Sequence, residues 1–171
     1  MWGVLMLVCM LSVAGYYSMA GQENLIASEN SVAANLAINM AVYRQAVIDY
    51  SSANPAALAT SVASGALSLP SWGIPSALSR WDNYIDRNGV IYVFTRMKLP
   101  VNITADIVSL SRNSVLAGEA AATAAGSLYL NAPADIAVTP LAAQQAPRQV
   151  ILLPAPAAIP VGSPVWLASR N

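Results

Sequence analysis

The chain has no histidine, one cysteine, one lysine, and no charged side chain before Glu23. The missing histidine removes the commonest general base and metal ligand. A lone cysteine, Cys9, allows no internal disulfide, so an exported domain must be held by packing alone. Charged residues make up 9 % of the chain and the formal net charge is zero, against roughly 25 % charged in ordinary domains. No basic surface is available for phosphate, which excludes a nucleic-acid partner. GxGxxG, Walker A and HExxH patterns are absent. The eight acidic residues are scattered. Asp82 and Asp86 would share a helical face, but the strand expected there separates them by about 13 Å, so they read as solvated charges flanking a turn. Lys98 could in principle serve a Ser-Lys pair, yet no nucleophile context surrounds it, and its place at a strand end reads as surface. The sequence therefore offers no catalytic, cofactor-binding or metal-binding residues and predicts a protein that is not an enzyme.

What is present begins at the N-terminus. Residues 2–20 read WGVLMLVCMLSVAGYYSMA, and no Lys or Arg appears before Arg44. As a helix these residues span roughly 28 Å at about 1.5 Å each, close to the ~30 Å of a bilayer core. Residues 1–21 are expected to be an uncleaved transmembrane signal anchor. Leu5, Leu7, Val8, Leu11 and Val13 would meet lipid, with Trp2, Tyr16 and Tyr17 near the interfaces. A cleaved signal peptide is the second reading, since Ser18-Met19-Ala20 satisfies the small-x-small rule, although the basic n-region is missing and the apolar run is long. A buried core helix is the third. A lipoprotein site at Cys9 is disfavoured by Val8, where Gly, Ala or Ser is wanted. Without a basic downstream flank, residues 22–171 are expected outside the cytoplasm, periplasmic in a Gram-negative bacterium, with the N-terminus inside.

Helical spacing continues beyond the anchor. Leu25, Glu29, Val32, Leu36, Met40, Tyr43, Val47 and Tyr50 recur at steps of three or four, and all but Glu29 are apolar. This stripe is expected to pack on the domain's own sheet and on partner proteins. No Gly or Pro interrupts 22–54, so anchor and stripe form either one helix of about 50 residues, on the order of 75 Å long, or two helices bent at Gly15 or Gly21. Asn54-Pro55 reads as the cap and first residue of a short helix over 56–64. Trp72 reads as a packing plug in the loop 69–75. Trp81, Tyr84 and Ile85 lead into Asp86-Arg87-Asn88-Gly89, where Asn-Gly predicts a type I′ hairpin. The strand 90–97 follows, with Ile91, Val93 and Thr95 on one face and Tyr92, Phe94 and Arg96 on the other. Thr104 is expected to cap a helix reaching Arg112, with Ile107, Val108 and Leu110 on its apolar side. Two more strands are expected at 114–119 and 127–131. The last 40 residues hold seven prolines. From about residue 132 the chain reads as an extended Pro-rich segment giving one or two edge strands, or as a disordered polyproline tail. Trp166 is expected to be the exposed tryptophan, since tails pack less well. The fold class is α+β: a long N-terminal helix, membrane-spanning then amphipathic, packed on a small antiparallel sheet.

The apolar helix running into Asn39-Met40-Ala41-Val42-Tyr43-Arg44, the strand 90–96, Arg112-Asn113-Ser114-Val115-Leu116-Ala117-Gly118, and the closing Leu152-Leu153-Pro154-Ala155 with Ile159-Pro160-Val161-Gly162-Ser163-Pro164-Val165 together resemble the PilM family of type IVb pilus systems, the thin pili of conjugative plasmids and genomic islands. The resemblance covers nearly the whole chain through soft motifs. It implies a single-pass inner-membrane protein of pilus assembly, whose partners are other pilus-assembly membrane proteins and pilins. It carries over no catalytic residue and no cofactor, and leaves the oligomeric state open. The cytoplasmic actin-like protein of the same name in type IVa systems is a different, nucleotide-binding molecule. The organisation also looks like a pilin, although no basic leader precedes the apolar run and its fifth position is not Glu. A minor pilin carried in the filament is the alternative, and a secreted adhesin-like or carrier module released after Ala20 is a third possibility.

Overall fold

The computed structural model describes residues 2–70, 79–132 and 151–170, and within the first helix the side chains of Trp2 and of residue 25 onward. Helix α1 runs unbroken from Trp2–Ala53, with no bend dividing it into two elements. Its second half is rich in Ala, the best helix former. It stops where Pro55 disfavours helical geometry in the preceding residue. The Asn54 backbone N–H and side-chain Nδ2 both donate to the Tyr50 carbonyl, each at 2.9 Å. Among the described residues no helix is long and apolar enough to cross a membrane. The side chains of Leu5, Leu7, Val8, Leu11, Val13, Tyr16 and Tyr17 lie outside the described residues, as does Trp72.

The short helix expected over 56–64 does not form. Ala59 takes a left-handed backbone (φ 53), and the chain then runs along the outer edge of strand β1 (Asp82–Ile85). Thr60 and Ile85 exchange backbone hydrogen bonds at 3.1 and 2.8 Å. One step along, the Asn83 side chain replaces the backbone: its Oδ1 accepts from Val62 N and its Nδ2 donates to Val62 O, both at 2.8 Å. Tertiary pairing overrides the local helix signal here and covers a strand edge that would otherwise be open. Only a 3-10 turn at Ser64–Ala66 remains helical.

Strand β1 turns into β2 (Val90–Phe94) in antiparallel register, with Ile85 opposite Ile91. The turn is not type I′, which needs two left-handed residues. Gly89 alone has positive φ (80). Asp86 N donates to Val90 O, while Asp86 Oδ1 accepts from the amides of Asn88 and Val90, both at 2.8 Å. The carboxylate holds a type I turn, and Gly89 supplies the following bulge. Helix α2 occupies Thr104–Leu110. Its N-cap is Ile103 rather than Thr104, and Asn102 Oδ1 accepts from Thr104 N at 2.8 Å. Ile107 and Val108 are buried, but Leu110, the last residue of the helix, is 47 % exposed.

Strands β3 (Ala117–Ala122), β4 (Leu128–Asn131), β5 (Ile151–Leu152) and β6 (Pro164–Ser169) complete one antiparallel sheet of order β1-β2-β6-β3-β4-β5. The expected strand at 114–119 is thus shifted to Ala117–Ala122. The Pro-rich C-terminal segment gives one edge strand, β5, as expected. Its second strand corrects the expectation, because β6 lies inside the sheet between β2 and β3. Proline is tolerated because Pro164 is the first residue of the strand. The ladder's next step would set Pro164 opposite Thr95, and Pro164 has no N–H to donate. Ser163 Oγ donates to Thr95 O (2.6 Å) and accepts from Thr95 N (3.3 Å) instead. Pro133, Pro140 and Pro147 lie outside the described residues.

The alternation of β2 has two consequences. Ile91 and Val93 face α1 and α2, packing with Met40, Tyr43, Val47, Ile107, Trp81 and Trp166. Tyr92 and Phe94 face the other way, into a second core with Ala120, Leu130, Leu153, Ile159 and Val165. The sheet curls so that its far strands and the segment 153–159 close over that face. Trp166, expected to be exposed, is 6 % exposed, because β6 is central and its odd-even pattern aims the indole under α1.

The two soft motifs are structural signals. After α2, Asn113 N donates to Val108 O and Arg112 N to Ser109 O, with Arg112 and Asn113 both left-handed (φ 57 and 58). This is a Schellman ending, and it redirects the chain into β3. Gly118 follows because a Cβ there would run into the Asn131 carbonyl of β4, 2.8 Å from its carbon. In the closing motif Ala158 is left-handed (φ 50), and Gly162 (φ 79) completes a turn in which Ser163 N donates to Pro160 O.

Candidate interaction surface

The stripe of α1 divides into two parts. Leu36, Met40, Tyr43 and Val47 are buried, and Tyr50 is half-buried against the same core. Leu25 and Val32 are 66 % and 40 % exposed. Every side chain from residue 25 to 32 is exposed, so this part of α1 stands clear of the other described residues for roughly 12 Å at about 1.5 Å per residue. Ile26, 58 % exposed, and Glu29 lie on the same side. Glu29 follows Leu25 by four residues, precedes Val32 by three and precedes buried Leu36 by seven. It therefore sits in the middle of the face that becomes the core contact one turn later. The periodic pattern had already marked Glu29 as its one polar member; Ile26 is added by the structure.

Two ties fix which end of the domain α1 overhangs. Arg170 Nη1 donates to Pro55 O at 2.9 Å, and Arg44 Nε donates to Leu167 O at 3.2 Å. α1 thus runs in the same sense as β6 and enters the domain at the Pro164 end. The Arg44 guanidinium lies 5.0 Å from the centre of the Trp166 ring, a cation-π contact. Burial lowers the pKa of Arg44. At its other flank Tyr43 Oη accepts from Asn83 Nδ2 at 2.8 Å. Burial raises the Tyr43 pKa, the Asn83 and Ser64 side chains pull it down, and Asp82 adds to the rise. These contacts fasten the chain to the sheet at Tyr43 and Arg44 and again just past the end of the helix at Pro55.

At the Pro164 end a groove of about 550 Å³ opens between the loop after β2 and the turn before β6. Met97 and Val161, 58 % and 64 % exposed, and Lys98 and Glu119 line it. Ser163 lines it too, but its hydroxyl is engaged by Thr95. Asp82 and Asp86 do not converge: Asp82 Oδ2 lies 3.8 Å from Arg96 Nε with both side chains well exposed, and Asp86 is occupied in the hairpin turn. Among the described residues no group of three or more His, Cys, Asp or Glu converges as a metal site would require. At this end of the domain the described residues present an exposed helix face and a groove with apolar lips.

No curated protein and no solved structure matches the chain. The PilM family model matches residues 7–167, spanning the helix, the sheet and both motifs, and the chain belongs to the PilM family, whose role is in pilus biogenesis.

Proposed function

We propose that this chain is an accessory, non-catalytic component of a type IVb pilus or conjugative pilus assembly apparatus in the bacterial inner membrane. Residues 1–21 anchor it, with Trp2, Leu5, Leu7, Val8, Leu11, Val13, Tyr16 and Tyr17 in or beside the bilayer. The N-terminus is cytoplasmic and the domain from residue 22 periplasmic. The observation that carries this reading is the unbroken α1, Trp2–Ala53. The same helix that bears the uncharged residues 2–20 is locked into the domain core, so anything bound outside is coupled rigidly to the membrane. A pilus subunit built in this way transmits position rather than chemistry. It requires no cofactor, and its partners are pilus-assembly membrane proteins and pilins.

A second reading, a minor pilin carried in the filament, draws on the same organisation of a long apolar-to-amphipathic helix over an antiparallel sheet. One experiment separates the readings. Cells carrying the complete pilus system are sheared, and the sheared pili, inner membrane and soluble periplasm are immunoblotted. The expected result is recovery in the inner membrane alone, with pili lost when the gene is deleted. Recovery with sheared pili makes the chain a filament subunit. Recovery in the soluble periplasm with a new N-terminus at Gly21 overturns both.

A further inference from the structure

We infer that the overhanging face of α1, formed by Leu25, Ile26, Glu29 and Val32, docks an apolar helix of a neighbouring membrane protein that carries one Lys or Arg on its contact side. This rests on the assembly reading above. The first support is continuity. The face is the same stripe that Leu36, Met40 and Tyr43 bury against the sheet, carried past the edge of the domain with nothing described beneath it. Leu25, Ile26 and Val32 are all exposed there. A helix lying under the overhang would extend the packing that the sheet provides further along.

The second support is charge. Glu29 stands in the centre of this apolar face, exposed and without an ion pair among the described residues. A purely apolar partner would strip water from the carboxylate with no compensation, whereas one basic side chain would satisfy it. The exposed N-terminal part of α1 in a second copy cannot supply that base. It has no Lys or Arg before Arg44, and two copies anchored in one membrane would set Glu29 against Glu29. Arg44 itself is committed to Trp166 and Leu167.

The test places a photo-crosslinking amino acid in the full chain at Leu25, at Val32, or at Ile38, which is 48 % exposed on the other side of the helix. Cells carry the whole pilus system. Leu25 and Val32 are expected to give one heterologous adduct, mapped by mass spectrometry to an apolar helix containing a Lys or Arg, while Ile38 gives none. Glu29→Lys is expected to cut the adduct at least about tenfold and Glu29→Gln to cut it less. A reciprocal acidic substitution in the partner is expected to rescue Glu29→Lys. Adducts only with a second copy, equal adducts from Ile38, indifference to Glu29→Lys, or no adduct would each overturn the inference. Membrane fractionation of the same cells separates the two failures. A chain that stays in the membrane without an adduct sinks the docking inference alone, and a chain absent from the membrane sinks the assembly reading and this inference with it.

Discussion

Replacing Asn83 with alanine removes one amide side chain and takes a hydrogen-bond partner from three polar groups. Val62 N loses its acceptor, Val62 O loses a donor, and Tyr43 Oη loses the Nδ2 donor, all bonds of 2.8 Å. Asn83 is 2 % exposed, Tyr43 1 % and Val62 7 %, so water has little access. A buried group left unsatisfied costs about 1–3 kcal/mol. Three would reach roughly 9 kcal/mol if nothing relaxed. The segment 54–63 lies on the surface, however, and can lift off β1 to hydrate Val62, which leaves Tyr43 and the exposed sheet edge as the lasting cost. We expect Asn83→Ala to destabilise by about 3–5 kcal/mol, on the order of 10 °C in Tm for a chain of this size. Tyr43→Phe deletes one bond and keeps the packing, and should cost about 1–1.5 kcal/mol. The assay is urea unfolding of the purified full chain in mild detergent, followed by tryptophan fluorescence, with limited proteolysis to detect cutting between Ala56 and Val62 in the Asn83 variant. If Asn83→Ala costs no more than Tyr43→Phe, the amide is not replacing a strand, and the account of the β1 edge is wrong.

Gly118→Ala should be folded but weakened, because the new methyl meets backbone rather than a side chain that can swing away: the Asn131 carbonyl carbon lies 2.8 Å and Ala132 Cα 2.9 Å from it. Overpacking of this kind costs roughly 1–3 kcal/mol. A thermal melt should show Tm falling for Gly118→Ala but not for Gly65→Ala, which meets nothing within 4 Å; equal melts would refute the β3–β4 contact. Stability should also decline at alkaline pH. Burial raises the pKa values of Tyr43 and Tyr92, so the fold favours the neutral phenols. Their contribution is complete below the unfolded tyrosine value of about 10 and is lost as pH rises through the higher folded values. The urea midpoint should hold to about pH 9 and fall beyond pH 10, less steeply in Tyr43→Phe; a midpoint that stays level past pH 11 would contradict the burial of both hydroxyls.

The sequence made the two ends of the argument legible and obscured the middle. The 3.6-residue spacing of Leu36, Met40, Tyr43 and Val47 is a local signal and finds the face that packs on the sheet. The period-two alternation of β2 likewise separates Ile91 and Val93 from Tyr92 and Phe94, which fill different cores. Legibility fails where a distant partner decides. The stretch 56–64 carries helix formers and a Pro in a favourable place, but Asn83 and Ile85, more than twenty residues away, hold it extended. Trp166 stands among prolines near the C-terminus, which argues for exposure, but its neighbours across the sheet are Val93 and Ala117, which no local window contains. The Asn-Gly pair identified a hairpin correctly and its turn type wrongly, because the carboxylate of Asp86 holds the amides of Asn88 and Val90. The candidate surface was half legible: the stripe was visible in the spacing, whereas the point at which it leaves the core depends on where the sheet ends.

The central place of β6 also governs when the domain can fold. Its residues pair with β2 residues 71 to 79 positions earlier, from Phe94 with Val165 to Val90 with Ser169. They also hold β3, which has no other neighbour on that side. Until residues 164–169 arrive, β1-β2 and β3-β4 are two separate hairpins, each marginal alone. Closing such long loops is slow and comes late. A chain that emerges N-terminus first would thus lack a closed sheet until residues 164–169 had also emerged. The sheet becomes continuous only when β6 enters between the two hairpins.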